Sequence, residues 1–420
     1  MLALKEQLPA QGSPKVLFIE HNHVYGGTVY FLRDLISCAR QHWGVVVWMP
    51  RAPFRGLFEM EGVRVLGAGH LNFEQSRLFR LVKRYPFRRG EATLRSIVQL
   101  LVYTLPMIPH FARLYRAERP AVVHVNDTVD MNRAELLAAR LTGVPVAAHV
   151  TNIRRFTLLD RLALQVPRVF IASSEAIKAS YVAGGAAPAR ILVVFDGVDM
   201  HRFRPSQDRA ALRAELEVGT DHFCVVSVGR IIPWKGLDVL ARAVAQLADE
   251  GTNVRWLVVG EGAGKPGLEA LVHALGIADR VRFVGQVESP ERYLAAADVL
   301  VQPSLRPEPL GRAVQEAMAV GCPVVASAHG GLVEIVHHGE TGFLVPPGQP
   351  LAIAEAVAQL ASDPGRRAEM ARNARAHALA AFSLDAQVET TIRCYEQAFP
   401  ELAYPPPAHP TGRVFHEHGA

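Results

Sequence analysis

Two glutamates stand eight residues apart in "RPEPLGRAVQEAMAVGCPVVASAHGG", one between prolines and one inside an apolar run. Pro307 and Pro309 restrict the backbone around Glu308 and hold it in a stiff extended turn. Gly311 lets backbone come close to a ligand, and Arg312 to Val320 then reads as a short helix with Ala313, Val314, Ala317 and Met318 on its apolar side. Glu316 falls about two helical turns beyond Glu308, so both carboxylates can border one cleft at a helix N-terminus. Free N–H groups and partial positive charge there suit a phosphate. A capping glutamate beside a salt-bridged one satisfies the same spacing. Upstream, "SVGRIIPWKG" sets Gly229 and Arg230 at a strand end and Lys235 just before a helix. Two fixed cations there fit a diphosphate that gains charge as it leaves. Alone, the pair reads equally as an ion-paired arginine and a solvated lysine. Gly26 and Gly27 allow backbone approach before a helix from Thr28, although a simple turn uses the same residues.

These groups need rigid supports, and the chain supplies alternating strands and helices. "KVLFIE", "GVVVWMP", "GVRVLGAG", "AVVHVND", "VPVAAHV", "RVFIASS" and "ILVVFDGVD" read as strands in the first half. "FCVVSVGR", "VRWLVVG", "VRFVGQV", "DVLVQPS", "CPVVA" and "GFLVPPG" read as strands in the second. The alternation predicts an α/β fold with doubly wound parallel sheets. At 420 residues two domains are expected. The boundaries predicted are a leader over 1–14, domains over 15–200 and 201–380, a terminal helical segment over 381–403 and a disordered Pro-rich tail over 404–420. Ligands in such sheets bind beyond the C-terminal strand ends. That places His21, Gly26, Gly27, His124 and His149 on the first domain's side, and Arg230, Lys235, Glu308 and Glu316 on the second's.

Charge is unevenly distributed. Residues 1–200 carry 25 Lys+Arg against 15 Asp+Glu, and residues 201–420 carry 20 against 25. "RLFRLVKRYPFRRG", with Arg77, Arg80, Lys83, Arg84, Arg88 and Arg89 among Leu, Phe and Tyr, suits peripheral contact with an anionic membrane. A solvated loop is the alternative, and no zinc spacing or RNA-binding signature favours nucleic acid. Cys38, Cys224, Cys322 and Cys394 form no C-x-x-C and fit reduced thiols. No apolar leader or uninterrupted spanning run occurs, so a cytoplasmic protein is expected, either free or peripheral on the inner membrane face.

"GAGKPG" after "RWLVVG" satisfies G-x-G-x-x-G and raises a dinucleotide-binding reading. Pro266 fits poorly where the helix should present amides, and the strand is not the first of its half. D-x-D, H-E-x-x-H, Walker A and G-x-S-x-G motifs are missing, so metal, NTPase and nucleophile-elbow chemistries lack support.

The second half resembles the family-4 retaining glycosyltransferases of GT-B fold. The resemblance runs through "VGRIIPWKGLDVL", "LVVGEGAGKPGLEAL", "RVRFVGQV", "DVLVQPS", "EPLGRAVQEAMAVGCPVVAS" and "GGLVEIVHHGETGFLVPPG". It is looser in the first half. The resemblance implies two Rossmann-like domains facing a cleft and a nucleoside-diphosphate sugar as donor. It implies Arg230 and Lys235 on the diphosphate, Glu308 on the sugar hydroxyls and Glu316 on the ribose. Gly229 and the backbone of Leu310 and Gly311 would also meet the donor. It further implies retention of configuration, no metal cofactor, a terminal helix crossing back to the first domain, and a glycan or lipid-linked acceptor in bacterial-type cell-surface polysaccharide or glycolipid synthesis. Phe195 and Asp196 replace the usual Pro-Asn before G-V-D, and Leu310 replaces a phenylalanine. His149 matches a family histidine or serves structurally. A sugar-nucleotide epimerase, a non-catalytic sugar-nucleotide-binding subunit and a dinucleotide oxidoreductase are the competing readings.

Overall fold

The structure is a computed structural model that describes residues 13–21, 27–50, 54–68, 98–154 and 156–402. Gly26, the basic stretch Arg77–Arg89, most of the leader and the tail lie outside these residues.

Among the described residues, thirteen strands form two sheets, and each pairing within them is parallel. The first domain holds β1 (Lys15–Ile19), β2 (Gly44–Pro50), β3 (Val63–Ala68), β4 (Val122–Asn126), β5 (Val146–Val150), β6 (Val169–Ala172) and β7 (Ile191–Val193). The second holds β8 (Phe223–Val228), β9 (Val254–Val259), β10 (Val281–Gly285), β11 (Val299–Gln302), β12 (Val324–Ser327) and β13 (Gly342–Val345). Their orders are β3-β2-β1-β4-β5-β6-β7 and β10-β9-β8-β11-β12-β13. Each order reverses beside its own first strand, between β1 and β4 and between β8 and β11. Those switch points open a crevice at the strand C-termini.

Helices cover both sheet faces, so the strands are apolar without alternation. Val16, Leu17, Phe18 and Ile19 of β1 are all fully buried. The helix Leu237–Asp249 buries Leu240, Val244 and Leu247 against the second sheet, the spacing of one helical face. Pro266 sits in the first turn of the helix Lys265–Ala274, so that turn lacks one of the amides a dinucleotide phosphate would need. A first-turn residue donates no intrahelical bond, so the missing N–H costs nothing there.

The chain then returns. The Val198 amide donates to the Phe382 carbonyl at 2.7 Å, and the helix Leu384–Ala398 runs back to the first domain. There Tyr395 and Phe399 are fully buried in the core around β1 and β2.

Candidate active site

Glu308 is held by its neighbours rather than left free. Lys235 Nζ lies 2.7 Å from its Oε1. Gln302 Nε2 donates to the same oxygen at 2.8 Å, and Ser304 Oγ donates to it as well. Three donors converge on Oε1, and Oε2 takes none of them. Gln302 ends β11 and Ser304 follows it, so the strand carries the supports. Lys235 closes the short turn Pro233–Lys235, and the Leu305 amide ties the loop after β11 to that turn through the Trp234 carbonyl at 2.8 Å. Gly229, Arg230, Lys235 and Gln302 line one recess at the β8–β11 switch point. Arg230 is exposed and pairs with no carboxylate among the described residues.

The loop carrying Glu308 is clamped to Gly330 and Gly331. The Gly331 amide donates to the Glu308 carbonyl at 2.8 Å. Gly330 has φ 61°, and a Cβ on it would stand 2.5 Å from that carbonyl oxygen. Only glycine admits this approach. Leu310 is buried, and Gly311, with φ 111°, precedes the helix Arg312–Ala319. The Val314 amide donates to the Gly311 carbonyl at 2.9 Å, and the Arg312 and Ala313 amides before it have no acceptor within the helix.

Glu316 occupies a different place. Its Oε1 takes Arg312 Nε at 2.9 Å, and both side chains line the cleft between the domains with Arg33, Asp34, Arg202 and Glu288. Burial pushes the Glu316 carboxyl up, and Arg312 pulls it back. The structure thus lines one recess with Arg230 and Lys235, bonds Glu308 to two of its lining residues, Lys235 and Gln302, and sets Glu316 in a second cleft.

The "GAGKPG" loop serves this recess. The Ile231 amide donates to Glu261 O and the Gly264 amide to Ile231 O, both at 2.9 Å. A Cβ on Gly262 would meet Ile231 O at 2.3 Å. The glycines therefore let β9's loop support the Arg230 turn, and Lys265 pairs outward with Glu261 at 2.8 Å.

On the first domain, His149 is the penultimate residue of β5 and is fully buried. Its Nδ1 lies 3.1 Å from Asn126 Oδ1, and Asn126 Nδ2 donates to Glu20 at 2.6 Å. That orientation makes Nδ1 the protonated nitrogen. Phe31, on the helix that Gly27 begins, lies 4.1 Å from the imidazole between ring centroids. Burial pushes the His149 pKa down to about 3. His124 sits deeper, bonded to the Tyr395 hydroxyl. His21 pairs with buried Glu135 at 2.8 Å.

Asp196, the departure from Asn, is a bridge. Its carboxylate accepts from Ser173 Oγ at 2.8 Å and lies 3.7 Å from His149 Nε2. Its carbonyl accepts from Gln315 Nε2 at 3.0 Å on the Glu316 helix. At the end of β4, Asp127 takes φ 74° and accepts from Asn152 Nδ2 at 3.0 Å. A non-glycine residue in that region beside a ligand crevice marks a site under constraint. Gln302, Ser304, Asn126 and Asp127 were not singled out from sequence; polar residues ending apolar strands were the available signal.

Two Rossmann-like domains joined by a crossing helix, with cations and a glutamate at the second domain's switch point, define the GT-B class. Residues 208–377 match the family described as "Glycosyl transferases group 1". A D-inositol 3-phosphate glycosyltransferase of Actinosynnema mirum is 36% identical over 291 residues, 62% of this chain and 69% of that protein. One of Streptomyces scabiei is 42% identical over 225 residues, 51% of this chain. That match spans only 50% of the Streptomyces protein's length. The chain belongs to the family-4, group 1 glycosyltransferases. Anabaena HepE shares the fold with a TM-score of 0.75 at 24% identity, covering 91% of this chain and 99% of that one. WaaG does so with a TM-score of 0.64 at 16% identity, covering 91% and 99%.

Proposed function

We propose that the protein transfers a sugar from a nucleoside-diphosphate donor to an acceptor hydroxyl with retention of configuration. The observation that carries this is the recess lined by Arg230, Lys235 and Gln302, the last two of which hold Glu308 a few residues before the helix Arg312–Ala319. A diphosphate draws Arg230 and Lys235, the amides at Leu310 and Gly311 add donors, and Gly229 gives it backbone room. Glu308 Oε2 takes sugar hydroxyls and Glu316 the ribose. As the bond from the anomeric carbon to the diphosphate breaks, positive charge grows on that carbon and negative charge on the leaving oxygen. Side-chain cations and helix amides stabilise the latter. The acceptor oxygen bonds to the carbon from the same face and its proton passes to the leaving phosphate. We take the reaction to need no metal, so EDTA should leave the rate unchanged.

The acceptor is taken to lie at the ends of β4 and β5, near Gly27 and His149. Asp127, Thr151, Asn152, Asp130 and Arg154 offer hydroxyl partners there. We favour a hydroxyl-rich glycan or lipid-linked acceptor, reached at an anionic cytoplasmic membrane face through Arg77–Arg89, in cell-surface polysaccharide or glycolipid assembly. No helix among the described residues is long and apolar enough to cross a membrane. The similarity to D-inositol 3-phosphate glycosyltransferases supports a second reading, a phosphorylated cyclitol acceptor. A thermal-shift panel of UDP-, GDP- and ADP-sugars tests the donor. Product analysis with inositol phosphate against a lipid-linked glycan extract then separates the acceptors. No stabilisation by any of the sugar nucleotides would overturn the reading.

A further inference from the structure

Helix Glu175–Gly184 belongs to the first domain, yet its N-terminus is capped by the second. Both oxygens of Glu334 accept its first amides, Glu175 N–H at 2.7 Å and Ala176 N–H at 2.8 Å. Ser174, which caps the helix in the ordinary way through Ile177 N–H at 3.1 Å, also donates its hydroxyl to the Pro309 carbonyl. Pro309 lies between Glu308 and Leu310. Glu334 sits in the short helix Leu332–Ile335, directly after the Gly330–Gly331 pair that grips Glu308. The two interdomain contacts therefore land on the two segments that fix Glu308. A carboxylate at a helix N-terminus meets free amides and the positive end of the helix dipole. Burial raises the Glu334 carboxyl, while the two amides draw it down.

We propose that Glu334 and Ser174 are positioning residues: they clamp the first domain to the donor loop and set Glu308 for the transferred sugar only when the domains are docked. This rests on the glycosyltransferase reading for its consequence, but the clamp itself can be tested without turnover. Hydrogen exchange at the Glu175 and Ala176 amides of the full chain should quicken about tenfold in Glu334→Ala, the effect of losing one charge-assisted bond per amide. In the same variant kcat/KM for the sugar nucleotide should fall about tenfold while the Kd of the free nucleoside diphosphate changes less than twofold. Ser174→Thr, which keeps both hydroxyl bonds, should retain activity, and Ser174→Asp, which keeps the helix cap but cannot donate to Pro309, should not. Unchanged exchange overturns the clamp. Faster exchange with an equal loss in nucleoside diphosphate binding overturns its positioning role. A wild-type protein that binds no sugar nucleotide, with exchange responding as described, overturns the functional reading and leaves the clamp a structural contact.

Discussion

Lys235 and Glu308 neutralise each other in the free protein at 2.7 Å. An arriving diphosphate must share that ammonium, and the brace from Gln302 and Ser304 keeps Glu308 in place when it does. Lys235→Ala should leave the fold intact, remove the thermal stabilisation by sugar nucleotide, and lower kcat/KM by about 10²–10³. Retained stabilisation would show that the diphosphate binds elsewhere. His149 makes a different prediction. Its folded pKa is about 3, below the ordinary 6.5, because burial disfavours the charged ring. Below pH 6.5 the unfolded chain binds a proton that the folded protein refuses until about pH 3. Stability from this group is thus fully present above pH 6.5 and lost as pH falls through that window, by about 1.4 kcal/mol per unit. Buried Asp196 and Glu316, raised by burial, act in the opposite sense. The difference between wild type and His149→Gln isolates the histidine, and urea unfolding at pH 7, 6 and 5 should show the variant losing less stability on acidification.

At the scale of elements, the donor loop depends on backbone packing that no side chain could replace. Gly330→Ala would force a Cβ to within 2.5 Å of the Glu308 carbonyl at a φ of 61°. It should cost about 1–3 kcal/mol in a urea melt and raise the donor KM, since the loop must shift to relieve the clash. An unchanged KM would separate the loop from the donor. The fold here was legible in sequence because local signals coincide: Pro307 and Pro309 stiffen one carboxylate, and a 3.6-residue period places Glu316 on the following helix. The strands around Arg230 were legible from their unbroken valines. What was not legible depends on distant pairing. Glu334 caps a helix that lies 159 residues earlier in the chain, and no local period records such a partner. The role of the "GAGKPG" turn was not legible for a related reason: its glycines serve a close approach to Ile231, a tertiary demand with the same composition as a phosphate cradle.

For the molecule as a whole, the crossing helix Leu384–Ala398 ties the two domains together, and the aromatic residues that end it lie in the first domain's core. Tyr395 packs edge-on against Trp43, with ring centroids 5.5 Å apart, and its hydroxyl meets buried His124. Trp43 Nε1 donates to the Leu402 carbonyl at 3.3 Å, and Arg168 pairs with Glu401 at 2.9 Å on the surface. The exposed ion pair adds little; the buried rings carry the attachment. Tyr395→Ala should therefore cost about 3–5 kcal/mol, a cavity in a closed core, and Tyr395→Phe about 1 kcal/mol for the lost hydroxyl bond. Calorimetry should show the loss in the transition of the first domain, because the ring is buried there and the second sheet keeps its own cluster around Trp256. The donor recess lies on that second sheet, so saturating sugar nucleotide should still raise the melting temperature of Tyr395→Ala. If the variant melted like wild type, the crossing helix would not hold the first domain. If it lost donor stabilisation altogether, the recess would depend on domain docking far more than its own contacts with Gln302, Ser304 and Lys235 imply.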